Sequence, residues 1–187
     1  MIKRLLIANR GEIAIRISRT AADLGVATIA IYAADDHLSL HTRHADESVS
    51  LETQGVAAYL NIERIIQIAK KTGCDAVHPG YGFLSESAEF AQACEDADLI
   101  YVGPAPATLK QFGDKAAARS LAEQCEVPVL PGISRAVSSA EAKEFMQQSE
   151  SRGIMLKAIA GGGGRGMRPV LNASELDEAF ARASSEA

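Results

Sequence analysis

The sequence of 187 residues contains no tryptophan, three cysteines and no long apolar run. Cys74, Cys94 and Cys125 form no C-x-x-C pair, which argues against a disulfide scaffold and is typical of reduced thiols in the cytoplasm. Cys94 and Cys125 each follow a large apolar residue by four positions, so both are expected to pack in a core. The longest apolar runs are far below the roughly 18 residues of a membrane span, and none is predicted.

The chain also lacks an excess of positive charge. Its net charge is −5, and acidic residues outnumber basic ones on both sides of residue 113. Such a balance argues against binding to nucleic acid through the phosphate backbone. With 47% hydrophobic and 23% charged residues, the composition is that of an ordinary globular protein.

Short apolar runs alternate with segments of helical periodicity in the first 113 residues. The runs predict five buried strands, at residues 2–8, 26–32, 48–51, 75–78 and 99–102. The segments between them predict helices, one of which is capped by Ser85 or Ser87. Because strands that alternate with helices form parallel sheets covered on both faces, we expect an α/β fold.

Polar and glycine-rich segments follow the predicted strands at residues 9–12, 78–82 and 103–104. Parallel sheets bind ligands outside the carboxyl ends of their strands, so these loops are the expected ligand-binding edge. The first loop lacks the G-x-G-x-x-G pattern, which argues against a nicotinamide dehydrogenase.

The pattern changes after residue 113, which predicts two domains, 1–113 and 114–187. The second part contains a helix at 116–123, an extended stretch at 127–132 and a helix that opens at Ser138 with capping-box spacing to Glu141. Strands are predicted at 154–159 and 167–171, followed by a last helix. These elements are too few to close a core, so we expect the chain to be a piece of a longer protein.

Five of the six residues at 161–166 are glycine. Consecutive backbone N–H groups in such a loop can form an anion-binding concavity, and Lys157 on the preceding strand adds a positive charge. This pattern favours a flap that closes on nucleotide phosphates over a simple hairpin turn or a linker. It is not a Walker A loop, because no Gly-Lys-Ser/Thr follows.

The remaining candidate side chains carry weaker signals. Lys115, beside Asp114 at a helix start, reads by itself as a solvated lysine. His78 at a strand end is expected to be a hydrogen-bonded structural residue, because no other ligand stands at metal spacing. Three more histidines share one loop and are expected on the exposed surface rather than at a metal: His37, His41 and His44.

Several strings occur in order along the chain: IANRGEIA at 7–14, ADE at 45–47, YLN at 59–61, HPGYGFLSE at 78–86, GDK at 113–115 and GGGGRGM at 161–167. Together they resemble the N-terminal part of biotin carboxylase, the ATP-grasp subunit or domain of biotin-dependent carboxylases. The resemblance covers essentially the whole chain.

The resemblance implies a Rossmann-like domain followed by the start of an ATP-grasp domain with a glycine-rich lid. It implies that ATP and bicarbonate form carboxyphosphate with magnesium, and that the carboxyl group passes to biotin on a carrier protein. The further partners it implies are a carboxyltransferase and a second copy of the enzyme in a homodimer. The expected location is the cytoplasm, and neither nucleic acid nor a membrane is an expected partner. The final acyl-CoA or keto-acid acceptor is not implied.

The resemblance also assigns residues. Lys115 and Lys157 would contact ATP, and Gly163 and Gly164 would supply backbone contacts to it. Tyr81 would lie near the biotin pocket. Arg16 and Arg19 on the first helix match dimer-interface positions of the family, although Asp23 departs from the longer acidic residue found there. Ile159-Ala160 replaces the Ser-Gly of some members at the entry to the loop.

The family's magnesium ligands and its bicarbonate- and biotin-binding arginines come after residue 187. We therefore expect no catalytic residue within this chain and no turnover by it alone. Two alternatives stay open: a piece of another ATP-grasp ligase, which would not share the 78–86 string, and a non-catalytic binding module.

Overall fold

The computed structural model describes residues 1–149, 153–158 and 166–185. The chain divides into two units, Met1–Gly113 and Asp114–Ala187. No helix within the described ranges has the length and apolar character needed to cross a bilayer.

The first unit alternates strands and helices. In chain order they are β1 (Arg4–Ile7), α1 (Gly11–Asp23), β2 (Ala27–Tyr32), β3 (Glu47–Ser50), α2 (Ile62–Lys71), β4 (Ala76–His78), α3 (Ala88–Asp96), β5 (Ile100–Tyr101) and α4 (Pro106–Gly113). Short 3₁₀ helices at Ala34–Asp36, Leu40–Arg43 and Val56–Leu60 lie in the connections around β3. The sequence patterns did not predict these 3₁₀ helices or α4.

The five strands form one parallel sheet in the order β3-β2-β1-β4-β5. The prediction of a parallel α/β sheet is confirmed. The chain runs outward from β1 in one direction through β3, and then returns to add β4 and β5 on the other side. The strand order therefore reverses between β1 and β4, and their carboxyl ends flank a crevice.

The central strand β1 is buried on both faces. Leu6 packs into a large cluster that includes residues of α2 and α3, whereas Leu5 and Ile7 pack on the opposite face with Ala14 and Ala21 of α1. Successive side chains of a strand point to opposite faces, so this alternation places helices on both sides of the sheet.

Two helix starts were anticipated from side chains that can accept backbone N–H groups. Ser87, rather than Ser85, caps α3, and its hydroxyl oxygen accepts the N–H of Phe90 at 3.1 Å. The predicted capping box is confirmed at the helix that begins at Ser139: Ser138 accepts the N–H of Glu141, whose carboxylate accepts the N–H of Ser138 at 2.8 Å.

The second unit contains helices and a hairpin. Its elements are α5 (Lys115–Gln124), α6 (Ser139–Gln148), β6 (Ile154–Lys157), β7 (Met167–Val170), a 3₁₀ turn (Ala173–Glu175) and α7 (Leu176–Ser185). The strands β6 and β7 pair antiparallel, and Leu156 and Val170 pack with Ala142 and Leu176. The strand predicted at 154–159 ends at Lys157, and residue 159 lies outside the described residues.

The two cysteines that were expected in a core differ in their burial. Cys94 is fully buried on α3, as predicted, and burial raises the pKa of its thiol to about 12. The prediction for Cys125 is wrong, because this residue is exposed. It lies just past the end of α5, and among the described residues this helix has no buried side chain. The four-residue spacing to Leu121 therefore does not place Cys125 in a core.

Candidate functional site

A cleft of about 400 Å³ lies at the carboxyl ends of β1 and β4. Its walls are residues 9–13, where β1 passes into α1, and residues 81–83 in the loop after β4. The strand order reverses here, which is where open parallel sheets bind ligands. The structure thus brings together two of the three loops that the sequence marked as the ligand-binding edge.

Asn9 joins the two walls of the cleft. Its side chain is buried, with 1% of the residue exposed. The Nδ2 group donates to the carbonyl oxygens of Pro79 at 2.7 Å and Tyr81 at 3.0 Å, while Oδ1 accepts the N–H of Arg10 at 2.9 Å. Both donor hydrogens and the acceptor are therefore used, and they fix the loop after β4 against the end of β1.

Gly80 stands where this loop turns over Asn9. Its φ is +68°, and a Cβ at this position would lie 2.6 Å from Nδ2 of Asn9 and 2.7 Å from Cγ2 of Ile13. Both the backbone conformation and the space around it therefore require glycine.

His78 supports the same turn, because its Nδ1 accepts the N–H of Gly80 at 3.0 Å. Burial lowers the pKa of His78, which favours the neutral imidazole that can accept this bond. The prediction of a hydrogen-bonded structural histidine is confirmed.

Tyr81 is about half exposed, with 56% of the residue accessible. Its hydroxyl donates to a carboxylate oxygen of Glu12 in the first turn of α1. This hydrogen bond, with a smaller effect of burial, raises the pKa of the Tyr81 hydroxyl, while the charge of Arg16 acts in the opposite direction. The phenol therefore stays protonated at neutral pH and links the loop to α1.

Arg10 lies beside the far end of the loop after β4, at Phe83. Its guanidinium carbon lies 5.6 Å from the ring centroid of Tyr59 and 5.8 Å from that of Phe83. These two rings stack with centroids 5.1 Å apart and an interplanar angle of 9°. The guanidinium also donates to Asp36 at 3.0 Å. Sequence reasoning missed this role, and only the position of the arginine in the loop that follows a buried strand could have suggested it.

The carboxylate of Asp36 accepts hydrogen bonds from three side chains. The hydroxyl of Tyr59 donates to it at 2.8 Å, and Arg10 and Ser39 donate at 3.0 Å and 3.1 Å. Burial by itself would raise the pKa of Asp36, but these hydrogen bonds outweigh it and the pKa is lowered. The carboxylate therefore remains charged opposite Arg10.

The histidine cluster of this region differs from the prediction at one position. His37 and His44 are exposed, as predicted, but His41 is buried, and its Nε2 lies 3.1 Å from the carbonyl oxygen of Ile31. The expectation of an exposed His41 is wrong because the Leu40–Arg43 turn packs against α1, β2 and β3. Burial lowers the pKa of His41, so the ring is neutral.

The two lysines assigned to ATP lie in the second unit. Lys157 is exposed at the end of β6, paired in register with Met167. The N–H of Ala158 donates to the carbonyl oxygen of Gly166 at 2.8 Å and closes the described part of the hairpin. Gly163 and Gly164 lie outside the described residues.

Lys115 is the first residue of α5 and is exposed. It directly follows the cap of this helix, Asp114, whose carboxylate accepts the N–H groups of Ala116 at 2.8 Å and Ala117 at 3.1 Å. Its backbone position is therefore set by the N-terminus of α5.

Arg16 and Arg19 lie on the solvent-facing side of α1. Both are exposed, whereas Ala14, Ser18 and Ala21 of the same helix are buried. The two arginines are therefore accessible to another chain, as the dimer assignment requires.

Two family descriptions match the chain, one for each unit. Residues 1–109 match the family described as biotin carboxylase, N-terminal domain. Residues 114–187 match the family described as carbamoyl-phosphate synthase L chain, ATP binding domain. The part of the chain that forms the parallel sheet thus matches a biotin carboxylase domain, and the part that follows it matches an ATP-binding domain.

Relatives with curated functions match over the full chain. Identity is 51% over 189 residues with pyruvate carboxylase of Staphylococcus aureus and 49% over 191 residues with mitochondrial pyruvate carboxylase of Mus musculus. Each alignment includes 100% of this chain and 16% of the relative. The chain belongs to the biotin carboxylase family, and it spans about a sixth of the length of these relatives.

Solved structures agree with this assignment. The biotin carboxylase domain dimer of 2-oxoglutarate carboxylase from Hydrogenobacter thermophilus, in complex with MgADP, ADP and bicarbonate, is similar with a TM-score of 0.94 and 38% identity. The biotin carboxylase of Campylobacter jejuni, in complex with a β,γ-ATP compound, has a TM-score of 0.94 and 40% identity. All of this chain is covered in both comparisons, with 41% and 42% of the respective solved chains.

Proposed function

We propose that this chain is the N-terminal part of a biotin carboxylase that forms carboxyphosphate from ATP and bicarbonate and transfers the carboxyl group to biotin on a carrier protein. One observation carries the proposal: the chain matches a biotin carboxylase N-terminal domain and then an ATP-binding domain, in that order, over nearly all of its length. In this proposal the unit Met1–Gly113 is the Rossmann-like domain, and Asp114–Ala187 is the start of the ATP-grasp domain.

The second unit supplies contacts to ATP in this proposal. Lys157 is an exposed ammonium at the end of β6, and the sequence that follows is rich in glycine. A charged donor and backbone N–H groups are the kinds of groups that bind a phosphate. Lys115, Gly163 and Gly164 complete the assigned set. ATP supplies the phosphoryl group that activates bicarbonate, and the role of these residues is to bind and orient it.

Magnesium has no assigned ligand in this chain. Within residues 1–149, 153–158 and 166–185, no group of three His, Cys, Asp or Glu side chains is placed to hold a metal ion. No step of the proposed reaction is therefore assigned to the ion through these residues, and its ligands are proposed to lie beyond residue 187.

The first unit supplies the biotin side of the reaction. Tyr81, held by Glu12 at the mouth of the cleft, is proposed to lie beside the biotin ring. Arg16 and Arg19 are proposed to face a second copy of the enzyme. The carrier protein or domain and the carboxyltransferase are the proposed partners, and the cytoplasm is the proposed location.

The test compares two proteins that carry the same sequence. The complete enzyme that contains this chain is expected to release phosphate from ATP in a manner that depends on bicarbonate, and to carboxylate biotin. The purified 187-residue chain is expected to show no such release, because it covers only 41% and 42% of the solved biotin carboxylase chains that it resembles. Absence of biotin carboxylation by the complete enzyme would refute the function, and turnover by the short chain would refute the assignment of catalysis to later residues.

A further inference from the structure

The loop after β4 carries Tyr81 in a conformation that is costly for its sequence. Phe83 has a φ of +42°, and Gly80 and Gly82 have φ of +68° and +70°. A left-handed backbone is disfavoured for residues with a side chain, so the aromatic Phe83 keeps this conformation only where its surroundings enforce it. The contacts that enforce it come from two consecutive residues at the end of β1.

Asn9 holds the backbone of the loop. Its Nδ2 group binds the carbonyl oxygens on both sides of Gly80, those of Pro79 and Tyr81, at 2.7 Å and 3.0 Å. The bond to Pro79 is buried and the bond to Tyr81 is part-buried, so loss of the Nδ2 donor leaves the Pro79 carbonyl group with little access to water as a substitute. The main-chain position of Tyr81 is thus tied directly to the end of β1.

Arg10 holds the far end of the loop through a side chain. Its guanidinium lies beside the stacked rings of Phe83 and Tyr59, and Asp36 keeps it there through a hydrogen bond of 3.0 Å. A guanidinium next to aromatic rings and paired with a carboxylate has few alternative positions. Arg10 therefore resists rotation of Phe83, which is two residues from Tyr81.

We propose that Asn9 and Arg10 are positioning residues for biotin: together they hold the 78–83 loop so that Tyr81 and the backbone at Gly82 face the cleft. This inference rests on the proposed function, in which Tyr81 lies beside biotin. It assigns the pair an effect on biotin binding and none on ATP binding, because every contact described for them lies within the first unit.

The test uses two variants of the complete enzyme, Asn9→Asp and Arg10→Met. The first keeps the volume of the side chain but replaces both donor hydrogens with an acceptor that repels the two carbonyl groups. The second keeps an unbranched side chain of similar reach but removes the guanidinium. Each is expected to raise the KM for biotin about tenfold, which corresponds to about 1.4 kcal/mol.

The readout separates positioning from a general loss of structure. The KM for ATP is expected to stay within about twofold of its original value, a change of about 0.4 kcal/mol. ATP cleavage in the absence of biotin is also expected to be unchanged, because carboxyphosphate forms before biotin reacts. A merely structural role would lower the amount of active enzyme and leave the KM for biotin unaltered.

Two control variants reproduce the chemical change and the loss of stability at positions outside the 78–83 loop. Asn61→Asp makes the same chemical change at an exposed helix cap, where aspartate caps as well as asparagine. Ile68→Val removes one methylene from α2 in the buried core and destabilises the first unit while leaving the hydrogen bonds and ring contacts of Asn9 and Arg10 in place. Both are expected to leave the KM for biotin unchanged. If Asn9→Asp does not fold, Arg10→Met and the milder Arg10→Lys carry the test.

The outcomes distinguish the positioning role from the proposed function. If the unsubstituted enzyme does not carboxylate biotin, the proposed function fails. If it does, and the KM for biotin is unchanged in the Asn9 and Arg10 variants, the positioning role fails while the proposed function stands. Equal increases in the KM for biotin and for ATP would also overturn the positioning role.

Discussion

Replacing Gly80 with alanine tests the architecture of the cleft directly. Its φ of +68° costs a residue with a Cβ about 1–2 kcal/mol. The new Cβ would also lie 2.6 Å from Nδ2 of Asn9 and 2.7 Å from Cγ2 of Ile13. Relief of this contact displaces Asn9 from two hydrogen bonds worth about 1 kcal/mol each. The expected loss in the free energy of unfolding is therefore about 3–4 kcal/mol.

Gly73 is the matched control, because its φ is also +68° but, apart from its own chain neighbours, no atom of the described residues lies within 4 Å of the position that a Cβ would occupy there. Gly73→Ala is expected to cost only the backbone contribution, about 1–2 kcal/mol. The difference between the two variants, about 2 kcal/mol, isolates the collision with Asn9 and Ile13.

Urea unfolding of the chain, followed by tyrosine fluorescence, measures this difference. All four tyrosines lie in the first unit and the sequence has no tryptophan, so the signal reports that unit alone. With a denaturant slope of about 1–3 kcal/mol per molar, the midpoints of the two variants should differ by about 1 M. Equal midpoints would refute the close approach of Gly80 to Asn9.

Two further predictions concern the second unit. Lys157→Ala in the complete enzyme is expected to raise the KM for ATP about tenfold, because a charge-assisted hydrogen bond is worth about 1.5–3 kcal/mol. The control is Lys110→Ala, which removes another exposed ammonium. A sharp fall in melting temperature with an unchanged KM for ATP would show that Lys157 has a structural role instead. Hydrogen bonds from Ser138 and Arg135 lower the pKa of Glu141 from 4.5 to about 2, so its contribution to stability is full above about pH 4.5 and is lost as the pH falls towards 2. Melting temperatures of Glu141→Gln, measured by circular dichroism, should therefore vary less between about pH 5 and 2 than those of the original chain, and parallel curves would contradict this.

Much of the fold follows from local sequence patterns. Apolar runs between helical segments predicted the parallel sheet, and hydroxyl side chains at the right spacing predicted the capping box at Ser138. These features depend on residues close together in the chain, so they can be recognised from the sequence alone. The segment 78–86 differs from these features. Its residues indicated the family, but the sequence did not show which distant residues they contact.

The errors have a common physical origin. Cys125 and Cys94 have the same spacing to an apolar residue, yet Cys125 is exposed because its helix has no partner to bury it among the described residues. His41 is buried because its turn packs against α1 and the sheet. Burial depends on what covers an element, and periodicity along one segment does not contain that information.

The sequence by itself determined the family, the alternation of strands and helices, and the glycines at the turn after β4. Only the tertiary structure decided that Asn9 binds Pro79 and that Arg10 lies against Phe83, contacts that join residues 70 or more positions apart. The reason is the strand order: β4 pairs with β1 although β2 and β3 lie between them in the chain. Their carboxyl ends, and with them the two walls of the cleft, become neighbours only when the sheet has formed.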